Sequence, residues 1–204
     1  MPGFDSNDPL IEPDRRIADI ACGHHPHPQA GVLVDLFPSA DGLPESPMGE
    51  RLTIPVPVRP GQELVRASAE NLPFPDKTFE YVIACECVNH CQDGPAALRE
   101  LERVAKAGMI QVPSWFHQMF GGHAEHSWRC AVQDGHLHIQ ERHPDDALTR
   151  VEIVLSCMGY DGKHEDFFLD LYAKVMPVWP RYLTIPQDHA FDWQDRIPWT
   201  LHKR

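Results

Sequence analysis

Along the first half of the chain, short apolar runs alternate with stretches rich in proline, glycine and acidic residues. Arg16–Cys22 (RIADIAC) alternates, carries β-branched residues and ends at Gly23, the pattern of a buried strand feeding a tight turn. Val32–Leu36 (VLVDL) reads as a second buried strand. Nine residues, Gly23 to Gly31, lie between them, and four of these are Pro or Gly. That leaves little room for a crossover helix, because a parallel crossover normally takes about 10–12 residues or more. Pro38 to Pro60 is irregular and proline-rich, with a short extended piece at Leu52–Val58, and is expected to wrap the surface or form a lid. Glu63–Ala67 reads as a third strand, and Phe79–Cys85 (FEYVIAC) as a fourth, apolar enough to sit centrally in a sheet covered on both faces. Between them the two prolines of Leu72–Asp76 (LPFPD) forbid a helix. In Gly94–Val104 (GPAALRELERV), Ala97, Leu98, Leu101 and Val104 fall on one helical face, and Pro95 suits a first turn. Gly108 is expected to end that helix and Met109–Val112 to form a fifth strand. Strands alternating with helices or long loops at this rhythm predict an α/β fold with a doubly wound, mostly parallel sheet.

The second half changes character. Ser127–Arg142 contains two alternating runs on either side of Asp134-Gly135, a pair favoured in type I′ turns, and so predicts an added β-hairpin. Arg150–Cys157 is apolar but ambiguous in type, and Glu165–Val175 (EDFFLDLYAKV) reads as an amphipathic helix stopped by Pro177. Phe191–Trp193 and Ile197–Leu201 are candidate late strands, and no internal repeat is evident.

Composition narrows the class. A chain of 204 residues has room for one full hydrophobic core and not two comfortable ones, so residues 1–204 are read as a single domain with a core at 16–114 and added elements at 115–204. The formal net charge of −12, with no basic cluster longer than Lys203–Arg204, disfavours a phosphate backbone or an anionic lipid surface as partner. Met1 to Pro13 lacks the apolar core of a signal peptide, and no run approaches the ~18 apolar residues of a membrane span. Six cysteines in that setting suggest reduced thiols, a disulfide framework being the minor reading, and a cytoplasmic location is expected.

One segment is specific. Ala69-Glu70-Asn71-Leu72-Pro73-Phe74-Pro75-Asp76 is followed by Phe79-Glu80-Tyr81-Val82, Val88-Asn89-His90, Asp93, Ala97-Leu98, Glu100, Arg103-Val104, Lys106 and Gly108. In order and spacing these residues resemble the class I S-adenosylmethionine-dependent methyltransferases, particularly the branch acting on small molecules. The first strand adds Asp19-Ile20-Ala21-Cys22-Gly23-His24-His25, which aligns with the family's aspartate-x-glycine-x-glycine-x-glycine loop but keeps only Gly23 of its three glycines. With His25 at the last glycine, the turn must run differently. The resemblance implies a Rossmann-like methyltransferase fold, S-adenosylmethionine as cofactor and methyl transfer to a small-molecule acceptor. It implies cofactor contacts from Asp19, Ala21, Gly23 and Glu86, a ribose-binding role for Asp35, and adenine contacts from Ser68 and Ala69. Asp35 also fits an acid that merely caps a turn.

Methyl transfer from a sulfonium asks the protein mainly to align nucleophile, carbon and sulfur, and a general base is needed only for a protonated acceptor. Of thirteen histidines, His90, just after the fourth strand, and His126, after the fifth, are the candidate catalytic pair. His90 also fits a structural histidine. Glu86 and Asn89, on the same turn, are candidates for holding a substrate. His126 and Trp128 with Trp115 and Phe116 read either as an acceptor pocket or as aromatics anchoring the hairpin. The leading reading holds no metal. Histidines 117, 123, 126, 136, 138 and 143 with Cys130, or Cys85, Cys87 and Cys91, keep a metal-dependent enzyme open, although their spacing matches no standard zinc motif. A third possibility is a binding or regulatory protein that keeps the fold without the reaction.

Overall fold

A computed structural model of the chain describes residues 13–37, 56–113, 126–143 and 189–202. Its main sheet has six strands: β1 (Asp14–Ile20), β2 (Ala30–Asp35), β3 (Glu63–Arg66), β4 (Phe79–Cys85), β5 (Ala105–Val112) and β8 (His189–Gln194), in the order β3-β2-β1-β4-β5-β8. All neighbours are parallel except β5 and β8, which pair antiparallel from Ala107↔Gln194 to Val112↔His189. A second sheet contains β6 (Trp128–Gln133), β7 (His136–Glu141) and β9 (Trp199–His202), with β7 between the others. The expected α/β architecture and added hairpin are both present. Asp134 and Gly135 take φ of 52° and 73°, the two left-handed positions of a type I′ turn. Unexpectedly, β9 runs parallel to β7 and extends the hairpin into a three-stranded sheet.

One α-helix lies among the described residues, α1 (Gly94–Val104), within the expected bounds. The Asp93 carboxylate caps its start by accepting from the Ala96 N–H, and Pro95 occupies its first turn. Ala97, Leu98, Leu101 and Val104 are buried on one face, in a core that also takes Phe79 and Val82 of β4, Leu137 and Ile139 of β7 and Phe191 of β8. The hairpin is therefore part of the main core. A smaller cluster of Cys22, Ala30, Leu33 and Val56 forms apart from it. No helix among the described residues is long and apolar enough to cross a membrane.

Gly108 does not end the helix. Residue 105 is already extended and opens β5, so Gly108 lies inside that strand. Lys77 supplies the stop: its N–H bonds the Arg103 carbonyl at 2.8 Å, and its ammonium takes the Glu102 and Ala105 carbonyls at 2.7 Å each. These groups satisfy the last carbonyls of α1, and the positive charge suits that end of the helix. Gly108 is needed for close packing instead, because a Cβ there would stand 2.6 Å from the Val82 carbonyl oxygen and 2.9 Å from the Trp193 indole nitrogen.

The proline loop between β3 and β4 is fastened to α1 through one side chain. Arg103 reaches both carboxylate oxygens of Glu100 at 2.7 Å, the Phe74 carbonyl at 2.6 Å, Asp76 at 3.0 Å and the Leu72 carbonyl at 2.9 Å. Glu100 in turn accepts from the Leu72 N–H at 2.7 Å. Prolines 73 and 75 cannot donate, so this loop depends on outside donors for its carbonyls. The expected elements at 150–157 and 165–175 lie outside the described residues.

Arg103→Lys keeps the charge but replaces a five-donor fork with one ammonium. It is expected to cost about 2 kcal/mol, the scale of charge-assisted hydrogen bonds lost together with carbonyls left unpaired. Urea unfolding of wild type and variant measures this, and an unchanged midpoint would contradict the role given to Arg103.

Candidate functional site

The chain leaves β1 for β2 and β3 on one side and takes up β4 and β5 on the other, so the strand order reverses between β1 and β4. In open parallel sheets the carboxyl ends of the strands flanking such a reversal form a crevice where ligands bind. Residues 21–23 after β1, Asp35 at the end of β2, residues 67–69 after β3 and residues 86–90 after β4 all lie at those ends. All nine site residues expected from the sequence, except His126, therefore fall on one edge of the sheet. His126 reaches the same place from the segment preceding β6.

The link from β1 to β2, residues 21–29, contains turns and no helix, as its length and prolines foretold. Nine residues are enough, because an extended chain covers about 3.3 Å per residue and the return path is one short strand. Two carboxylates hold this link. Asp19 accepts from the His27 N–H at 2.7 Å, and Asp35 accepts from the Gly23 N–H at 2.9 Å and the Phe37 N–H at 2.7 Å. The Gln62 amide adds bonds to the carbonyls of His27 at 3.1 Å and Ala30 at 2.8 Å. Ala21 and Gly23 both take the left-handed conformation, with φ of 59° and 52°. Nothing lies within 4 Å of where a Gly23 Cβ would stand, so this glycine serves the turn and leaves open space in front of it.

Asp19 is 4% exposed. Burial pushes its carboxyl up to about 7; the His27 N–H opposes the shift, and the nearby Asp35 charge adds to it. Ser68 and Ala69 lie in a turn closed by the Asn71 N–H on the Ser68 carbonyl at 3.1 Å, and the Ser68 hydroxyl oxygen accepts from the Glu70 N–H at 3.2 Å. The Glu70 carboxylate accepts from the Gln92 N–H at 2.7 Å and so ties this turn to the exit of β4.

That exit is the densest part of the site. Glu86 takes φ 54°, strained for a residue with a side chain, and its N–H bonds the Gln111 carbonyl at 2.9 Å. A 3-10 turn, Val88–His90, follows. Asn89 is fully buried, and its amide nitrogen stands 3.1 Å from a Glu86 carboxylate oxygen and 3.1 Å from His126 Nε2. The His90 and His126 rings meet edge to face at 4.5 Å. One ligand atom from each of Glu86, His90 and His126 lies within 4.8 Å of the other two. The expected catalytic pair is thus brought together, and Glu86 joins it. Glu86, expected either at the cofactor or, with Asn89, holding a substrate, thus stands beside both histidines.

The hairpin docks on this turn through the Ser127 N–H, 2.8 Å from the Asn89 carbonyl, and the Trp128 indole N–H, 3.0 Å from the Cys91 carbonyl. Trp128 covers Gly94 at the start of α1, where a Cβ would meet its ring at 3.1 Å. Of the two readings offered for Trp128, this contact set matches the anchor. Trp115, Phe116 and His123 lie outside the described residues. Cys85, Cys87 and Cys91 form no converging group of three ligands among the described residues. Burial pushes the Cys85 thiol up to about 12, and the Cys91 thiol bonds the Cys87 carbonyl at 3.3 Å.

Residues 48–111 match a sequence family described as methyltransferase domain. The phthiotriol/phenolphthiotriol dimycocerosates methyltransferase of Mycobacterium leprae is 37% identical over 97 residues, covering 46% of this chain and 35% of that protein. Norajmaline N-methyltransferase of Rauvolfia serpentina is 41% identical over 58 residues, 28% of this chain and 20% of that protein. The mitochondrial arginine-hydroxylase NDUFAF5 of Danio rerio is 28% identical over 118 residues, 56% of this chain and 34% of that protein. The chain spans about a third or less of the length of these curated relatives.

The raised pKa of Asp19 has a testable sign. An unfolded aspartate releases its proton near 3.8, whereas the folded one holds it to about 7. Between those values the native state binds more protons, so stability falls as pH rises through the window. Asp19→Asn keeps an acceptor for the His27 N–H and has no charge to bury. Thermal melts at about pH 5 and about pH 8 should therefore show a drop for wild type and a flatter response for the variant; equal slopes would contradict the burial argument.

Proposed function

We propose, from the premise that this chain carries the sheet and the matched segment of a class I S-adenosylmethionine-dependent methyltransferase, that it transfers a methyl group from S-adenosylmethionine to a small-molecule acceptor. The observation that carries this reading is positional. The matched segment spans the turn at 86–90, beside the strand reversal at the carboxyl edge of the sheet, and the turn at 68–71 that Glu70 ties to the exit of β4.

The residues present fit the cofactor. Each Asp35 oxygen accepts one backbone N–H and retains a second lone pair, so the carboxylate can still take ribose hydroxyls. Ser68 and the Ala69 backbone would meet the adenine, and the open space in front of the left-handed turn at Ala21 and Gly23 would take the amino-acid end beside Asp19. The bound cofactor supplies a methyl group already activated by its sulfonium. The protein's part is then to position the acceptor and keep water away from the line of transfer. Glu86, held by the buried Asn89 amide, orients the acceptor, while exposed His90, packed against the buried His126, offers its proton a way to solvent. The net charge of −12 supports a small molecule over a nucleic acid as acceptor.

A second reading, a binding or regulatory protein on the same scaffold, is favoured by one observation. The β1–β2 link offers no helix N-terminus to the cofactor, and Asp35 is already engaged by that link. Calorimetry with S-adenosylhomocysteine, followed by transfer of a labelled methyl group to a panel of small hydroxyl, amine and thiol compounds, separates the two. Binding is expected, with Asp35→Ala weakening it about tenfold or more, the worth of a charge-assisted hydrogen bond. No binding at millimolar ligand would remove the methyl-transfer reading, and binding without product across the panel would favour the second.

A further inference from the structure

We propose that Glu86, His90 and His126 hold a divalent transition-metal ion, and that this ion selects a hydroxyl oxygen as the methyl acceptor. The second half of the statement rests on the methyl-transfer reading; the first does not. Three observations support the site. The donors are one carboxylate and two imidazoles, a set that suits zinc, manganese, iron or cobalt and leaves further coordination positions open. Their ligand atoms already lie within 4.8 Å of one another, whereas ligands about 2.1 Å from one ion stand about 3.0–3.4 Å apart, so binding needs them to draw together by about 1.5 Å. His90 is exposed while His126 is buried, so the group is open to solvent on one side and held by the core on the other.

A further observation concerns Asn89. Its amide nitrogen sits between the Glu86 carboxylate and His126 Nε2, 3.1 Å from each. Two acceptors from distant parts of the chain thus converge on the positive end of one dipole, the place a cation would take. The other end of the amide, Oδ1, is buried without a hydrogen-bond partner, in a residue with no exposed surface. Turning the amide over exchanges the two atoms at no cost in shape. The oxygen then faces the group as a fourth donor. The histidines of the second sheet behave differently. His136 bonds Thr200 and His138 bonds His202, each at 2.8 Å, along the surface of the second sheet with no carboxylate among them.

An ion at this position lies at the carboxyl edge of β4, beside the strand reversal where the cofactor is proposed to bind. A hydroxyl acceptor on the open side of the ion becomes more acidic. Its proton leaves to solvent, the oxygen's electron pair forms the new bond to the methyl carbon, the carbon–sulfur bond breaks toward sulfur, and the sulfonium becomes a neutral thioether. Amines, protonated at neutral pH and repelled by the ion, make poor acceptors.

The test uses untagged full-length protein, stripped with EDTA, dialysed and titrated with Co2+ alone. One equivalent is expected to bind, with visible ligand-field bands. Glu86→Gln and His90→Gln are each expected to weaken binding at least tenfold and alter the bands while circular dichroism and melting stay unchanged, and His136→Gln should bind as wild type. Absence of saturable binding, or wild-type affinity in both site variants, overturns the metal site. The acceptor assignment is tested by methyl transfer to hydroxyl compounds, expected to fall at least tenfold in EDTA and return with Zn2+ or Mn2+; transfer that ignores EDTA overturns it. Calorimetry with S-adenosylhomocysteine in EDTA is independent of the ion, so failure of the cofactor reading is distinguishable from failure of the metal site.

Discussion

The contact between Arg103 and the proline loop is the constraint on which the site depends. Leu72–Asp76 passes from β3 to β4 without secondary structure, and its Leu72 and Phe74 carbonyls take their hydrogen bonds from Arg103. A guanidinium is the side chain that can meet two carbonyls and two carboxylates in one plane. Glu100 holds that plane through both its oxygens, and the arginine beside it draws its carboxyl below the ordinary range. With the loop fixed, Lys77 meets the end of α1, β5 starts at once, and the turn at 68–71 is set at the edge of the sheet. The proline motif, Glu100 and Arg103 therefore belong together for a mechanical reason, which also explains why the family resemblance concentrates there.

The opposite side of the reversal is built on different terms. A helix after β1 would normally cover the sheet and offer its N–H groups to an anion. Here Asp19 and Asp35 do the holding, each accepting backbone N–H groups of a short turn-rich link. Burial of Asp19 is the cost, visible in a carboxyl that stays protonated toward neutral pH. The arrangement gives an open approach in front of Gly23 and a sheet edge made of turns and carboxylates.

Much of this was legible because it is local. Pro95 in the first turn of α1, its single apolar face, the unbroken run of β4 and the Asp134-Gly135 turn each speak within a few residues. The length of the β1–β2 link was legible too, since nine residues with two internal prolines cannot make a crossover helix. What was not legible depends on partners far apart in sequence. Gly108 looked like a helix stop because nothing nearby shows that Lys77 performs that task. The parallel pairing of β9 with β7 needs the chain to return after β8. Glu86, Asn89 and His126 converge where the Ser127 N–H and the Trp128 indole dock the hairpin on the turn after β4, joining positions that no local pattern connects.

The stretch 189–202 supplies β8 to one sheet and β9 to the other, with a tight link between in which the Ile197 N–H bonds the Glu102 carboxylate on α1 at 2.7 Å. Two edges are thereby covered by one continuous piece of chain. Loss of that piece would expose the unpaired backbone of β5 and of β7 at the same moment, each an open template for another strand. The tail is thus a shared seal, and a single proteolytic cut before it would turn a self-contained fold into one with two adhesive borders.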